Sequence, residues 1–136
     1  MKLEFFLNFE PDIPKTTHQV GLRAGVLGNG KPYLYKDPQY MQVEAKYAAK
    51  LSAFAPPSRM TGPLELSTTW MFLGEEARYR TKKPDTDNLV KLLKDVMTDV
   101  GFWKDDSQVV RESIVKLDVP CDMKHGVKVS ITQLEV

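Results

Sequence analysis

Four aspartates form two short clusters that flank one predicted helix. Asp85 and Asp87 lie in the segment 84–88, and Asp105 with Asp106 follows the helix. Clustered carboxylates are costly because like charges oppose each other's ionisation, and a divalent cation offsets that cost. Mg²⁺ prefers hard oxygen ligands, commonly one or two carboxylates completed by waters and phosphate oxygens. If the turn after the helix brings the two clusters together, the four aspartates predict a Mg²⁺ site.

Lys91 has the spacing needed to act beside these acids. It follows Asp87 by four residues and precedes Asp95 by four, so all three share one face of a helix, opposite its apolar stripe. A lysine next to a metal-bound phosphate can stabilise charge that develops on phosphorus or on the leaving oxygen. Asp95 would then either support Lys91 in the site or form a simple surface ion pair with it.

The same residues also have structural interpretations. Either Asp85 or Asp87 alone is a good helix N-cap, although a cap uses only one of them. Lys91 could belong to a ladder of i, i+4 ion pairs and nothing more. A calcium-binding EF-hand is excluded, because the fifth position of that loop would be Leu89 and its obligatory glycine would be Val90.

A run of cations directly precedes the acidic segment, and it consists of Arg78, Arg80, Lys82 and Lys83. Such a strip beside a metal site suits a phosphodiester backbone, although a charged edge strand that resists aggregation would look the same. Basic residues of the N-terminal loop that would extend the strip are Lys15, His18, Arg23, Lys31 and Lys36. The histidines His18 and His125 lack metal-ligand spacing and are interpreted as surface residues.

Two other kinds of site were considered. Phe102 and Trp103, beside the second acidic cluster, would be either a wedge that stacks on bases or, more commonly at the end of a helix, part of the core. The sequence contains no Ser/His/Asp or Cys/His arrangement and no glycine-rich phosphate loop. Nucleophilic catalysis by a side chain therefore has no support.

Hydrophobic patterning predicts the elements that must position these residues. An aromatic run predicts a strand at 2–9, and glycine and proline at 10–32 predict a long loop or a loosely paired hairpin. A short strand at 33–35 then precedes a helix that begins at Pro38, where Asp37 is its N-cap, and ends near Phe54.

The second half of the chain carries the acidic clusters. Residues 64–73 predict a strand, and 74–83 its exposed turn or extension. A helix begins near Asp87 and stops at Gly101, because its apolar positions recur at helical spacing. These positions are Leu89, Leu92, Leu93, Val96, Met97 and Val100. Two final strands, 107–119 and 126–136, are predicted to pair as antiparallel neighbours. The order predicts an α+β fold with two helices and a mixed or antiparallel sheet.

Composition sets broad limits on the protein. A chain of 136 residues with 42% hydrophobic residues predicts one domain, residues 1–136. The net charge of +1 neither favours nor opposes a polyanionic partner. The lone cysteine, Cys121, and the absence of a signal-peptide pattern predict a cytoplasmic location. No apolar stretch approaches the roughly 20 residues needed to cross a bilayer, so no membrane association is expected.

The motif around the acids resembles the RusA family of Holliday junction resolvases. The resemblance covers about a quarter of the chain: a basic residue ahead of Asp85-Thr86-Asp87-Asn88-Leu89, then Lys91, then Asp105-Asp106-Ser107-Gln108-Val109-Val110. It implies a homodimeric, Mg²⁺-dependent endodeoxyribonuclease that nicks two strands of a four-way junction symmetrically, leaving 5′-phosphate and 3′-hydroxyl ends. The N-terminal loop departs from the family at 14–19, where a basic, proline-rich stretch is usual.

The resemblance also implies roles for single residues. Asp85, Asp87 and Asp106 resemble the metal-binding catalytic acids, Asp105 matches a further family acid, and Lys91 resembles the catalytic lysine. An interface between two copies of the chain would be formed by the first strand or by Trp70, Phe72, Phe102 and Trp103, which fit the core equally well. A phage or prophage origin is plausible, since such enzymes are often encoded there.

Two other function classes remain open at this level. A non-catalytic architectural protein would grip branched DNA through the basic run at 78–83 without cutting it. A phosphoesterase for a small substrate would prefer a nucleotide to a junction. Metal-dependent nicking of a labelled junction separates the first class from a nuclease, and a binding comparison between nucleotide and junction separates the second.

Overall fold

A computed structural model describes residues 1–9, 22–36 and 38–135, and its α+β fold confirms the predicted class. The main sheet contains β1 (Lys2–Asn8), β4 (Leu64–Leu73), β5 (Arg78–Tyr79), β6 (Val109–Val119) and β7 (Gly126–Gln133). A separate hairpin consists of β2 (Leu22–Val26) and β3 (Pro32–Lys36). The helices are α1 (Pro38–Leu51) and α2 (Thr86–Val100), and 3-10 turns occupy Ser52–Phe54 and Asp106–Gln108.

Strand β4 is the centre of the main sheet, whose order is β1-β7-β4-β6-β5. It pairs in parallel with β6 and antiparallel with β7. The prediction that β6 and β7 are neighbours is therefore wrong. The reason lies in β4, where every second residue, including Leu64, Leu66 and Trp70, is fully buried. A strand this buried is most stable where both of its edges are hydrogen-bonded.

The core lies between the sheet and the two helices. Helix α2 contributes the predicted stripe, of which Leu89, Leu92, Leu93, Val96 and Met97 are buried. The four aromatic residues considered for an interface, Trp70, Phe72, Phe102 and Trp103, are also buried in the core. The interpretation of Phe102 and Trp103 as core residues is confirmed. None of the four aromatic side chains is exposed enough to form a surface for a second copy.

Smaller differences from the predictions occur at element ends. Helix α1 ends at Leu51, and a 3-10 turn replaces its expected last turn. Residues 22–36 form a hairpin, the second of the two predicted possibilities. Lys15 and His18 lie outside the described residues. No helix in the described part of the chain has the length and apolar character required to cross a membrane.

An ion-pair cluster links the segment that contains β5 to β6 at the edge of the main sheet. Asp118 on β6 has a side chain only 6% exposed. It accepts a hydrogen bond of 2.7 Å from Arg80 Nη1 and one of 3.5 Å from Arg78 Nε. The Arg80 hydrogen bond is the main cause that holds the pKa of Asp118 below its usual range, although desolvation opposes it. The Arg80 guanidinium also lies 4.6 Å from the centre of the Phe72 ring.

This cluster makes the stability of the fold sensitive to acid. Because the folded-state pKa of Asp118 is depressed, its contribution is present above the unfolded value of about 3.9 and is lost as the pH falls through the folded value. We expect Asp118→Asn to lower the free energy of unfolding by about 1–3 kcal/mol at pH 7. The gap between wild type and variant should shrink as the pH falls below about 4 and through the lowered folded-state pKa of Asp118. Urea unfolding of both proteins across this range measures it, and a constant gap would contradict the assignment.

Candidate active site

The polar face of α2 carries the first half of the site. Asp87 lies in its first turn, with Lys91 and Asp95 following at intervals of four residues. Asp87 and Lys91 are exposed, whereas Asp95 is partly buried. The buried stripe holds the opposite face of α2 against the core, so these three side chains lie along one outward-facing row.

The end of α2 determines where the second acidic cluster lies. Gly101 adopts a left-handed conformation with φ of 99°, and its N–H donates to the carbonyls of Met97 and Thr98. This C-cap turns the chain so that Phe102 and Trp103 enter the core. The Trp103 indole N–H donates to Thr98 Oγ1 at 2.7 Å, which ties the turn to the helix. The residues that follow are thereby returned to the surface beside α2.

Asp105 and Gln108 give this turn its shape. The Asp105 carboxylate accepts a hydrogen bond of 2.9 Å from the Ser107 N–H, and Gln108 Oε1 accepts one of 3.1 Å from the Asp105 N–H. Together they form a capping box around the 3-10 turn. Hydrogen bonding by the Ser107 backbone is the main cause that lowers the pKa of Asp105. Asp105 therefore has a structural role, in addition to any role toward a metal.

The two halves meet in one open cleft of ≈ 370 Å³. Asp87, Lys91 and Asp95 line it from α2, and Asp106 lines it from the turn. A neighbouring cleft of ≈ 270 Å³ is also lined by Asp95 and Asp106, together with Asp105. Asp87 and Asp106, one from each acidic cluster, thus line the same cleft. Asp85 is exposed at the N-cap position of α2 but does not line either cleft.

Electrostatics within the cleft reflect crowded negative charge. The pKa of Asp95 is raised first by desolvation and then by the charge of Asp106, whereas the Lys91 ammonium lowers it. Asp99 and Glu44 raise the pKa of Asp95 further. Lys91 is therefore a cation among several carboxylates.

The donor chemistry of the cleft suits a hard divalent cation, since all its acidic ligand candidates are carboxylates in an open, solvent-accessible site. Their arrangement is not a closed metal centre, however. Among residues 1–9, 22–36 and 38–135, no three histidine, cysteine, aspartate or glutamate side chains converge closely enough to hold a metal ion. Asp85 makes no side-chain cap hydrogen bond, so its carboxylate is not engaged as the N-cap that the sequence allowed.

The basic run divides into exposed and engaged residues. Lys82 and Lys83 are exposed. Arg80 is only 20% exposed, and besides its bond to Asp118 its Nε and Nη2 donate to the Lys83 carbonyl at 3.0 and 2.8 Å. Lys116 on β6 donates to the carbonyls of Lys82 and Pro84, each at 2.8 Å. Arg80 and Lys116 thus hold the loop that leads into Asp85.

Two charged residues of the cleft are not predicted as site residues by the sequence. Glu112 and Lys94 line it and approach each other to 3.4 Å. Glu112 is on β6 two residues before Ile114, which also lines the cleft. Because side chains alternate across a strand, Glu112 and Ile114 share one face. That alternation was readable in the sequence, but the proximity of this face to α2 was not.

Comparisons of the sequence with known proteins identify one family. A family model described as endodeoxyribonuclease RusA matches residues 12–132. The crossover junction endodeoxyribonuclease rusA of Lactococcus phage r1t is 34% identical over 76 residues. That alignment covers 53% of this chain and 56% of the phage protein, so it spans only about half of either.

Proposed function

Because this chain belongs to the RusA family of endodeoxyribonucleases, we propose that it is a metal-dependent endonuclease that resolves four-way DNA junctions in recombination and repair. The observation that carries the proposal is the open cleft that Asp87, Lys91 and Asp106 line together. The name of the Lactococcus phage relative, a crossover junction endodeoxyribonuclease, supports the choice of substrate. It also supports a phage or prophage origin for this protein.

We assign the metal-binding role to the aspartates. Asp85, Asp87 and Asp106 would hold Mg²⁺, with Asp105 as a further candidate ligand. When bound, the cation would supply a nucleophilic water at neutral pH and neutralise charge on the phosphate. The Lys91 ammonium lies close enough to Asp95 to lower the pKa of that carboxyl, and it would stabilise negative charge that grows on the phosphoryl oxygens during hydrolysis. The expected products carry a 5′-phosphate and a 3′-hydroxyl.

Contacts to the DNA backbone follow from which cations are exposed. Lys82 and Lys83 would bind phosphates next to the cut bond, and Arg78, whose side chain is half exposed, would assist them. Three of the five N–H groups of Arg80 already donate within the chain. We therefore propose that Arg80 acts mainly by holding the loop. Lys15, outside the described residues, stays a predicted DNA contact.

A homodimer would explain how one chain cuts two strands. A four-way junction is approximately two-fold symmetric, and each chain carries one acidic set. The first strand, β1, stays a predicted surface for a second copy, and we add the β2–β3 hairpin as a further candidate. One face of this hairpin exposes Val26 at 72% and Leu34 at 70%. Ala24 and Pro32 are also exposed, and the register places all four on one side of the hairpin.

Cleavage of a labelled synthetic four-way junction tests the proposal. Wild type should nick the junction in Mg²⁺ and not in EDTA, and a linear duplex of the same sequence should be cut far more slowly. Binding without cutting in Mg²⁺ would instead identify an architectural protein. Hydrolysis of a nucleotide phosphoester without junction cleavage would identify a small-substrate phosphoesterase.

Lys91→Ala should lower the cleavage rate at saturating enzyme at least about tenfold, with little change in junction affinity. The proposed contact strengthens only as charge develops in the transition state, so its loss affects rate more than binding. Single-turnover cleavage and equilibrium binding measure the two quantities. Lys46→Ala, which removes an exposed lysine from α1, is the control. Equal losses of rate and affinity in Lys91→Ala would make Lys91 a simple phosphate clamp.

A further inference from the structure

A second cleft of ≈ 370 Å³ lies beside the acidic site and carries the opposite charge. Its charged lining residues are Arg59 and Lys104, and no acidic residue lines it. Both side chains are exposed. Within the described ranges, neither forms a salt bridge. Both cations are therefore accessible to an anion from solution.

This basic cleft and the two acidic clefts form one groove along α2. Lys104 lines both the basic cleft and the neighbouring acidic cleft, and that cleft shares Asp95 and Asp106 with the cleft of Asp87. The groove thus follows α2 from its first turn to beyond its last. A helix of 15 residues is about 22 Å long, over which one strand of B-DNA presents roughly six phosphates. Cations at the two ends of α2 would therefore meet different phosphates of one strand.

Gln108 connects the two segments that form the basic cleft. Its Nε2 donates to the carbonyls of Met60 and Gly62, each at 3.1 Å. Its Oε1 accepts hydrogen bonds from the N–H groups of Lys104 and Asp105 at 3.0 and 3.1 Å. One amide thereby uses its whole hydrogen-bonding capacity to join the segment after Arg59 to the turn that carries Lys104. Arg59 and Lys104 therefore project from two segments that the hydrogen bonds of Gln108 hold next to each other.

Arg59 also lies close to the end of α2. A Cβ placed on Gly101 would lie 3.9 Å from Arg59 Nε, so the guanidinium lies over the C-cap of α2. The carboxyl end of a helix carries partial negative charge, which favours a cation there. The segment itself is hydrogen-bonded to the turn, since the Met60 N–H donates to the Phe102 carbonyl at 2.9 Å.

We propose that Arg59 and Lys104 each bind a backbone phosphate of the DNA strand, on the side of the cut bond opposite Lys82 and Lys83. This inference rests on the proposed nuclease function and extends its binding surface. The guanidinium can bind two phosphate oxygens at once, and the ammonium adds a point charge. Bound DNA would pass from the loop before α2, across the acids, to the cleft beyond the helix.

The salt dependence of junction binding tests the site. Affinities of wild type, Arg59→Ala and Lys104→Ala are measured in EDTA across a range of NaCl concentrations. Each substitution should weaken binding about fivefold to tenfold near 0.1 M salt and reduce the slope of log K against log[NaCl] by about 0.9, because one phosphate contact is lost. Arg59→Lys should retain most of the slope. Arg111→Ala, which removes an arginine paired with Glu65 outside these clefts, should change neither quantity.

Unchanged slopes in both alanine variants would overturn the site, whether or not binding becomes weaker. Weaker binding with an unchanged slope would indicate a general structural effect. Thermal unfolding of each variant checks that its fold is intact. Wild-type cleavage of the same junction in Mg²⁺ is followed in parallel. If wild type binds but never cuts, the nuclease proposal fails, while the slopes still decide whether Arg59 and Lys104 contact phosphate. If wild type does not bind DNA, both proposals fail.

Discussion

Asp87→Asn and Asp106→Asn should each abolish junction cleavage, with a loss of at least about 10²- to 10³-fold, while junction binding stays intact or tightens. Each change removes a candidate metal ligand and, at the same time, a negative charge that faces the phosphates. Rate and affinity therefore move in opposite directions, which a merely destabilised protein would not show. Single-turnover cleavage in Mg²⁺ and binding in EDTA measure the two effects.

Asp122→Asn provides the matched control for this experiment. Asp122 is an exposed acid that lines none of the three clefts described above. Its loss should leave cleavage near the wild-type rate. Asp85→Asn should behave like Asp87→Asn. Its effect on stability should be small, because the Asp85 side chain makes no cap hydrogen bond. Near-normal cleavage by any one of the three active-site variants would remove that residue from the proposed site.

Mixed dimers of wild type and Asp87→Asn should nick a plasmid-borne junction on one strand and fail to linearise it efficiently. The expectation follows from one acidic set per chain and from a two-fold dimer that matches the symmetry of the junction. Differently tagged subunits allow the mixed species to be purified, and gel analysis separates nicked from linear plasmid. Wild-type dimers carrying the same tags are the control.

Two results would contradict this model. Sedimentation that shows only a 15.5 kDa monomer, both free and bound to a junction, would eliminate the dimer. Efficient linearisation by the mixed dimers would retain the dimer but show that the two cuts do not depend on two separate sets of aspartates. The hairpin can be examined in the same way, since Leu34→Glu places a charge on its exposed apolar face.

Asp105 and Asp106 are neighbours in sequence but have different surroundings. The Asp105 carboxylate is engaged as the cap of a 3-10 turn, whereas Asp106 lines both acidic clefts and acts electrostatically on Asp95. This difference favours Asp106 as the metal ligand of the pair. It also explains why two adjacent acids can occur here, since one shapes the turn that presents the other.

The sequence by itself determined the local parts of this site. Apolar spacing established which face of α2 is buried, and therefore that Asp87, Lys91 and Asp95 share the opposite face. Gly101 predicted the end of the helix, and the motif around the acids identified the family. These inferences succeed because helical periodicity and a glycine C-cap depend on residues within one or two turns of each other.

Only the tertiary structure decided the contacts that are distant in sequence. The position of β4 between β6 and β7 depended on which strand of the sheet has the most buried side chains. Docking of Phe102 and Trp103 in the core returned Asp106 to the side of Asp95, and β6 brought Glu112 to the same cleft. Arg80 looked like a free cation in the sequence, yet Asp118, 38 positions later, engages it. Charge alone does not reveal whether a side chain has a partner inside the fold, because that partner is supplied by chain packing.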